Sequence, residues 1–225
     1  CFQPYFFLPM VSRKNFSGVI DERLHTLAQL FIEVEDNSIS HEVVHLQLYT
    51  YNSLLRRRLQ ALTLGLKPVK TMMERHVLGR LLVLQGYMTG DGNEITVSPS
   101  RSQSTAGVNL NLSGDLPDSL TESMKRLCRK LRRNTNCIGA FPLTSLLKIG
   151  VPGDGNHIAG VFPMRCEPHN WESDRLGRVS HFSKIHMVDG TVLPSLPATT
   201  ITYTIMANAY RIGSEVGELG IREQV

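Results

Sequence analysis

The sequence lacks the features that would place it in a specialised class of protein. No run of about 18 apolar residues occurs in the chain, so no membrane-spanning helix is expected. Its 4 cysteines form no CxxC pair, and their spacing suits neither a zinc ribbon nor a disulfide-dense scaffold. It contains no internal repeat and no low-complexity linker. With 225 residues, 41% of them hydrophobic, the chain has enough apolar material for a globular core.

The chain also has no large excess of positive or negative charge. The net charge of +4 makes the chain only mildly basic, which does not by itself indicate nucleic acid as a partner. The opening stretch CFQPYFFLPM is too short for a signal peptide and has no basic leader. The chain begins with Cys1 rather than Met, which indicates a fragment or a processed product. Residues 1–20 are aromatic and without a clear period, so we expect irregular structure there, as in a segment separated from a longer domain.

Strand patterns dominate the middle of the chain. Residues 78–88 and 94–99 are predicted strands, and the intervening TGDGN is a good hairpin turn. Residues 104–114 alternate apolar and polar side chains and predict a third strand of the same sheet. Strands in hairpin order followed by helices imply an antiparallel sheet with helices packed on it, which is an α+β fold.

Three segments before residue 140 carry a helical period. Residues 21–36 have leucines at helical spacing, although their later part also suits a strand, and residues 52–66 predict a helix that ends near Gly65. The clearest helix opens with Ser119 and Glu122 in the pattern of a capping box. Its predicted buried face consists of Leu120, Met124, Leu127, Cys128 and Leu131.

A glycine-rich loop surrounds His157. Glycines reach backbone conformations that are closed to other residues and allow a ligand to approach closely. The loop has four of them, at Gly150, Gly153, Gly155 and Gly160. We therefore expect the imidazole of His157 to face a cleft.

The segment after this loop predicts a strand, a proline-punctuated loop and a helix. Residues 185–188 read as a short apolar strand that ends in Asp189 and Gly190. The helix has Thr199 or Thr200 as its N-cap. Its apolar positions are Ile201, Ile205, Met206, Ala209 and Ile212. Such a path points the positive end of the helix dipole at the cleft, where an anionic group is favoured.

Together these blocks resemble the C-terminal signature of the glucose-methanol-choline (GMC) family of flavin-dependent alcohol oxidoreductases. The resemblance rests on His157 with IAGVFPM, Asp174 with LGRV, then MVDGTVLPSLPA and TIMANAYRI, in the family's order over about 65 residues. It implies a substrate domain of the GMC type and an enzyme that uses FAD to oxidise an alcohol or sugar hydroxyl.

The resemblance also implies catalytic roles. His157 corresponds to the base that takes the hydroxyl proton, a task that suits a group with a pKa near neutrality. The second catalytic position holds a histidine or asparagine in the family, and here an ungapped count from Asp189 places Thr200 there. Threonine forms hydrogen bonds but is not a base near neutral pH. Either His157 does the acid–base work alone, or the activity has changed or been lost. Asn156 and Phe162 are expected to shape the pocket.

The resemblance also implies which residues contact the cofactor. Asp189 and Gly190 match the family's residues near the FAD ribityl chain and pyrophosphate. The helix N-terminus at Ile201 or Thr202 resembles the element that faces the N1–C2 carbonyl edge of the flavin, where a positive dipole end stabilises negative charge. No metal ligand is expected.

One part of the family's cofactor site has no counterpart. GMC proteins carry an FAD fingerprint, GxGxxG, near the N-terminus, and no such sequence occurs here. The resemblance therefore implies that residues 1–180 form an incomplete substrate-binding domain and that residues 181–225 contribute to an FAD-binding domain absent from this chain. The expected partners are that FAD-binding N-terminal half and a small alcohol or sugar, with the pocket wall formed around residues 45–51 and 82–87. The alternative is a truncated, non-catalytic GMC-like protein without tight flavin binding.

A second histidine motif suggests zinc but has the wrong period. Residues 41–45, HEVVH, match the HExxH motif of zinc proteases, which needs a helix to bring both histidines to one metal ion. The residues that follow alternate as in a strand, where the two histidines are spread apart. We therefore expect a strand with polar residues on one face, and a zinc hydrolase is a distant third hypothesis.

Two further motifs also favour ordinary structure. In VPGDGNH, Gly153 and Gly155 supply GxG, but Ile158 occupies the third glycine position of a dinucleotide loop. The basic stretches at residues 125–133 and 56–58 have no interleaved aromatic residues. The helix at 125–133 has a buried stripe of its own, so its charges are expected on a solvated face and no nucleic-acid partner is predicted.

Overall fold

The computed structural model describes residues 1–16, 28, 30–50, 78–90, 92–101, 108–155 and 157–222. Its strands are β1 (Tyr5–Ser12), β2 (Leu30–Asp36), β3 (Ser40–Thr50), β4 (Leu81–Tyr87), β5 (Thr96–Arg101), β6 (Val108–Ser113), β7 (Ala140–Pro142) and β8 (Lys148–Ile149). Its helices are α1 (Asp118–Arg133), α2 (Thr135–Ile138) and α3 (Thr202–Arg222).

The chain folds into two compact units, each assembled from separate stretches of sequence. The sheet unit consists of Tyr5–Tyr87 and Pro117–Gly150. The loop–helix unit consists of Cys1–Pro4, Met88–Leu116 and Val151–Val225. Residues 181–225 thus share a unit with His157, and their contribution to an FAD-binding domain stays a prediction.

An antiparallel sheet forms the core of the sheet unit. Its strands lie in the order β2-β3-β4-β1-β7, and β8 pairs with β1 beside β7. Along β1 every second side chain is buried, as expected for a strand with one face against a core. Helix α1 contacts β7. This arrangement confirms the α+β class predicted from the sequence.

The prediction of irregular structure over residues 1–20 was wrong for β1. Phe6, Leu8 and Met10 are fully buried and their neighbours are partly exposed, so the period is two. The aromatic residues that obscured this alternation lie on both faces of the strand. Gly86 of β4 lies opposite Phe6, and a Cβ there would meet the Phe6 ring at 2.1 Å, so glycine makes room for the aromatic side chain.

The predicted hairpin between residues 78–88 and 94–99 was also wrong. Strand β4 pairs with β1 and β3, whereas β5 pairs with β6 in a separate two-stranded sheet. The Gly90 carbonyl accepts from the Asn93 N–H at 3.0 Å, and the Gly90 N–H donates to the Leu196 carbonyl at 2.7 Å, so this stretch is tied to the segment before α3. Residues 108–113 consequently form a strand, but in that second sheet.

Helix α1 has the predicted buried face and a different start. Met124, Leu127, Cys128 and Leu131 are buried. The expected capping box does not form, because the N-cap position is Pro117 and no side chain caps the helix. Burial raises the pKa of the Cys128 thiol to about 11, which keeps it protonated and unreactive.

Other predicted elements have mixed outcomes. The strand alternative for the later part of residues 21–36 is confirmed by β2, and the strand through HEVVH is confirmed by β3. The helix at 52–66 and the start of the segment at 21–36 lie outside the described residues.

The loop–helix unit has long loops packed on α3. Residues 185–188 were predicted to be a strand, but they pair with no strand, and Asp189 instead precedes a short 3-10 turn at Gly190–Val192. A small core of Ala159, Leu196 and Ile201 holds the loops against the start of α3. In the part of the chain that the structure describes, no helix is both long and apolar enough to cross a membrane.

Candidate functional site

The N-terminal residues hold the His157 loop by backbone pairing. The Ala159 N–H donates to the Cys1 carbonyl at 3.1 Å, and Phe2 and Ile158 form an antiparallel bridge. The Gln3 N–H donates to the carbonyl of His157 at 3.4 Å. Three residues at the start of the described chain therefore position the predicted catalytic loop.

The buried side chain of Gln3 joins His157 to the segment before α3. Its Nε2 donates to the Pro197 carbonyl at 2.6 Å and, more weakly, to the Thr199 carbonyl at 3.5 Å. Its Oε1 lies 2.6 Å from Nδ1 of His157. Carbonyl oxygens only accept hydrogen bonds, so Nε2 of the amide must face them and Oε1 must face the imidazole.

This network selects a tautomer of His157. Because Oε1 of Gln3 is an acceptor, Nδ1 of the imidazole must carry the proton that it donates. In the neutral ring the basic lone pair then belongs to Nε2. Burial lowers the pKa of His157, because the charged imidazolium is the form that loses hydration. The side chain is therefore a neutral base above its lowered pKa.

Two loop glycines have the conformations that the sequence predicted. Gly153 and Gly160 have φ of 91° and 70°, in the left-handed region that favours glycine. Gly155 serves a different purpose, since a Cβ there would lie 3.0 Å from the Gln3 carbonyl oxygen. Asn156, which was expected to shape the pocket, lies outside the described residues. Phe162 donates its backbone N–H to the Thr191 carbonyl at 3.0 Å.

Asp189 and Gly190 both have structural partners. Oδ1 of Asp189 accepts from the backbone N–H of Thr191 at 3.2 Å and from the Thr191 hydroxyl. A Cβ at position 190 would lie 2.8 Å from the Ile158 carbonyl oxygen, so glycine lets this turn lie directly against the His157 loop. Asp189 is exposed and Gly190 is buried.

The residues predicted around the helix N-terminus differ in exposure. The side chain of Ile201 is only 3% exposed and belongs to the core, so a cofactor contact there would use its backbone. Thr200 and Thr202 are exposed. Helix α3 begins at Thr202, and the Ile201 carbonyl accepts from the Ile205 N–H, so neither Thr199 nor Thr200 occupies the position directly before the helix. Met206, one of the apolar positions at helical spacing, is 59% exposed.

The DRLGRV segment forms a turn that is held by its own hydrogen bonds. Oδ1 of Asp174 accepts from the backbone N–H groups of Leu176 and Arg178, and Oδ2 accepts from the Arg178 guanidinium. Gly177 has φ of 73°, and a Cβ there would meet the Met187 carbonyl oxygen at 2.1 Å. This part of the signature therefore builds a turn.

The HExxH motif does not assemble a metal site. His41 and His45 both lie on β3, where His45 is buried and His41 is exposed. Oε1 of Glu33 lies 3.6 Å from Nδ1 of His45. Within the described ranges, no three His, Cys, Asp or Glu side chains come together in a way that would hold a metal ion.

The predicted wall of the substrate pocket lies in the sheet unit. His45, Gln47 and Tyr49 form a hydrogen-bonded polar row on one face of β3. His45 and Gln47 are 7% and 5% exposed. Their contact with a substrate stays a prediction.

Comparison with known proteins identifies no family for this chain. No protein-family model matches it, and no curated protein matches it significantly.

Gln3 is the residue of the site that sequence reasoning missed. It lies 154 positions from His157, within a stretch that contains no motif. Only the folded chain brings its amide between the imidazole and the carbonyls before α3.

Proposed function

We propose that this chain is the C-terminal, substrate-binding and catalytic portion of a GMC-type FAD-dependent oxidoreductase that oxidises an alcohol or sugar hydroxyl. The observation that supports this most is the Gln3–His157 pair. It gives a half-buried neutral imidazole with Nδ1–H donated to Gln3 and Nε2 as the basic atom. The resemblance of the surrounding blocks to the GMC signature supplies the reaction class.

The residues present fit one end of the cofactor. The start of α3, with Thr202 exposed, offers backbone N–H groups that lack intrahelical acceptors, and these suit the electron-rich carbonyl edge of an isoalloxazine ring. When bound, FAD would supply the hydride acceptor. The chain has no GxGxxG loop for the pyrophosphate, so the remaining contacts would come from the FAD-binding half.

The chain's own residues would handle the proton. Nε2 of His157 takes the substrate hydroxyl proton, which makes departure of hydride from the same carbon easier. Gln3 holds the ring in the tautomer that this step needs, and the exposed Thr200 hydroxyl orients the substrate by a hydrogen bond. His157 is then the only base that the proposed step requires.

The test is anaerobic bleaching of FAD by alcohols and sugars, with the chain extended upstream to any glycine-rich FAD-binding segment. We expect a substrate-dependent loss of flavin absorbance that His157→Gln slows by at least about a hundredfold while FAD stays bound. His169→Gln is the matched control, because His169 is exposed and lies outside the site. Equal rates in the two variants would remove His157 from the mechanism.

The alternative function is a non-catalytic GMC-like scaffold. The absence of GxGxxG from the sequence favours it, because that loop carries the pyrophosphate contacts. Flavin retained by neither the chain nor its extended form would establish this alternative.

A further inference from the structure

A cationic cleft in the sheet unit lies outside the site described above. It has a volume of about 470 Å³ and lies between α1 and the turn that joins β2 to β3. Four cationic side chains and one carboxylate line it, together with Ser38, Ile39 and Asn134. The charged residues are Arg126, Arg129, Lys130, Arg133 and Asp36.

Only part of this positive charge is compensated. Lys130 pairs with Asp36, and Arg129 pairs with Glu122 outside the cleft. Arg126 donates to the neutral hydroxyl of Ser123 at 2.9 Å. Among the described residues, neither Arg126 nor Arg133 has a carboxylate partner. These two guanidinium groups are therefore available to bind an external anion.

Repulsion between these cations destabilises helix α1. Residues 126, 129, 130 and 133 follow the i, i+3, i+4, i+7 spacing of one helix face, and like charges at that spacing repel. The helix dipole favours Lys130 and Arg133 in the last turn, but Arg126 lies in the middle of α1 and gains little from it. A bound anion would relieve the repulsion.

The lining also indicates what else the ligand carries. The hydroxyl of Ser38 donates to Asp36 at 2.7 Å, so its oxygen is left as an acceptor. Hydrogen bonds from Lys130 and Ser38 lower the pKa of Asp36 to about 2, so the carboxylate is an acceptor throughout the physiological range. Acceptors on one wall and guanidinium groups on another suit a molecule with hydroxyl groups and a phosphate.

We propose that this cleft binds a small phosphate ester, with its dianionic phosphate between Arg126 and Arg133 and its hydroxyl groups toward Asp36 and Ser38. The cleft has the volume of a small-molecule site, and none of its lining residues is aromatic, so no stacking platform for bases is present. This inference does not depend on the proposed oxidoreductase activity.

The experiment is calorimetric titration of the chain with glycerol phosphate, inorganic phosphate and glycerol at matched ionic strength. We expect saturable one-to-one binding of glycerol phosphate, weaker binding of inorganic phosphate, and none of glycerol. Arg133→Gln should weaken binding about tenfold, the loss of one charge-assisted contact. Arg133 is exposed, so the variant should fold, and its thermal unfolding midpoint checks this.

Lys125→Gln is the matched control, because it removes the same charge from the exposed surface of α1 outside this cleft. Its affinity should stay within about twofold of the unaltered chain. Equal weakening in the two variants, or no saturable binding of glycerol phosphate, would overturn the proposal. Tighter binding to anionic phospholipid vesicles or to duplex DNA than to glycerol phosphate would also overturn it.

Discussion

Gln3 and His157 form the contact on which the proposed chemistry depends. We expect the neutral imidazole to carry its proton on Nδ1, because Oε1 of Gln3 accepts from it at 2.6 Å. Gln3→Glu places a negative charge at the same atom and should raise the pKa of His157. Imidazole nitrogen chemical shifts measured against pH report both the tautomer and the pKa. A wild-type ring protonated on Nε2 would refute the assignment.

Position 190 requires glycine because the turn lies directly against the His157 loop, and a substitution tests this explanation. Gly190→Ala places a Cβ 2.8 Å from the Ile158 carbonyl oxygen and should destabilise the fold by about 1–3 kcal/mol. Gly213→Ala is the control, since a Cβ at that position would have no neighbouring atom within 4 Å and alanine is the better helix former. It should stabilise α3 by about 0.5–1 kcal/mol. Urea unfolding measures both, and similar changes in both would contradict this account of Gly190.

Among the elements, the turn at residues 174–178 joins the loops to α3. The Arg211 guanidinium donates to the Arg175 carbonyl at 2.7 Å, and the Arg175 side chain pairs with Glu215. Burial alone would raise the pKa of Asp174, but hydrogen bonds from Arg178 and Leu176 outweigh it and lower the pKa.

The sign of this shift predicts the behaviour of the turn in acid. A carboxylate whose pKa is lower when folded stabilises the fold above its unfolded pKa, near about 4, and the contribution is lost as the pH falls through the folded value. Asp174→Asn should therefore cost about 1 kcal/mol at neutral pH, a value reduced by the partial exposure of the carboxylate, and less below pH of about 3. Asp154→Asn, in an exposed loop, is the control. An equal loss of unfolding free energy at both pH values would contradict this prediction.

At the scale of the molecule, the local periods of the sequence predicted individual strands and helices better than they predicted which strands pair. The strand through HEVVH and the apolar stripe of α1 follow from local periods, and both predictions were confirmed, although His45 and Gln47 are buried as well as Val44 and Leu46. The partner of β4 depends on a long-range choice, and β4 pairs with β1 because the buried side chains of β1 complete the core. Residues 185–188 have a strand composition without a strand to pair with. Their conformation was set by tertiary contacts such as the Met187 N–H donated to the Gly177 carbonyl at 2.8 Å.

In the candidate site, too, local patterns were predictable and long-range contacts were not. His157 and its glycines were found from the sequence because a glycine-rich loop is a local pattern. Gln3 was not, since its role comes from a contact across 154 positions and from the carbonyls of Pro197 and Thr199. The sequence indicated His157 as the proposed base, and the fold added Gln3, the residue that sets its tautomer.

The pH dependence of FAD reduction by substrate, in a chain extended upstream to include any FAD-binding segment, tests the central proposal that His157 takes the hydroxyl proton. Because burial lowers the pKa of His157, the rate should fall in acid as the imidazole is protonated, with the midpoint of this fall below the ordinary histidine pKa of about 6.5. The acid limb should disappear in His157→Gln together with most of the rate. A rate that does not change with pH, or an acid limb that persists in His157→Gln, would contradict the account.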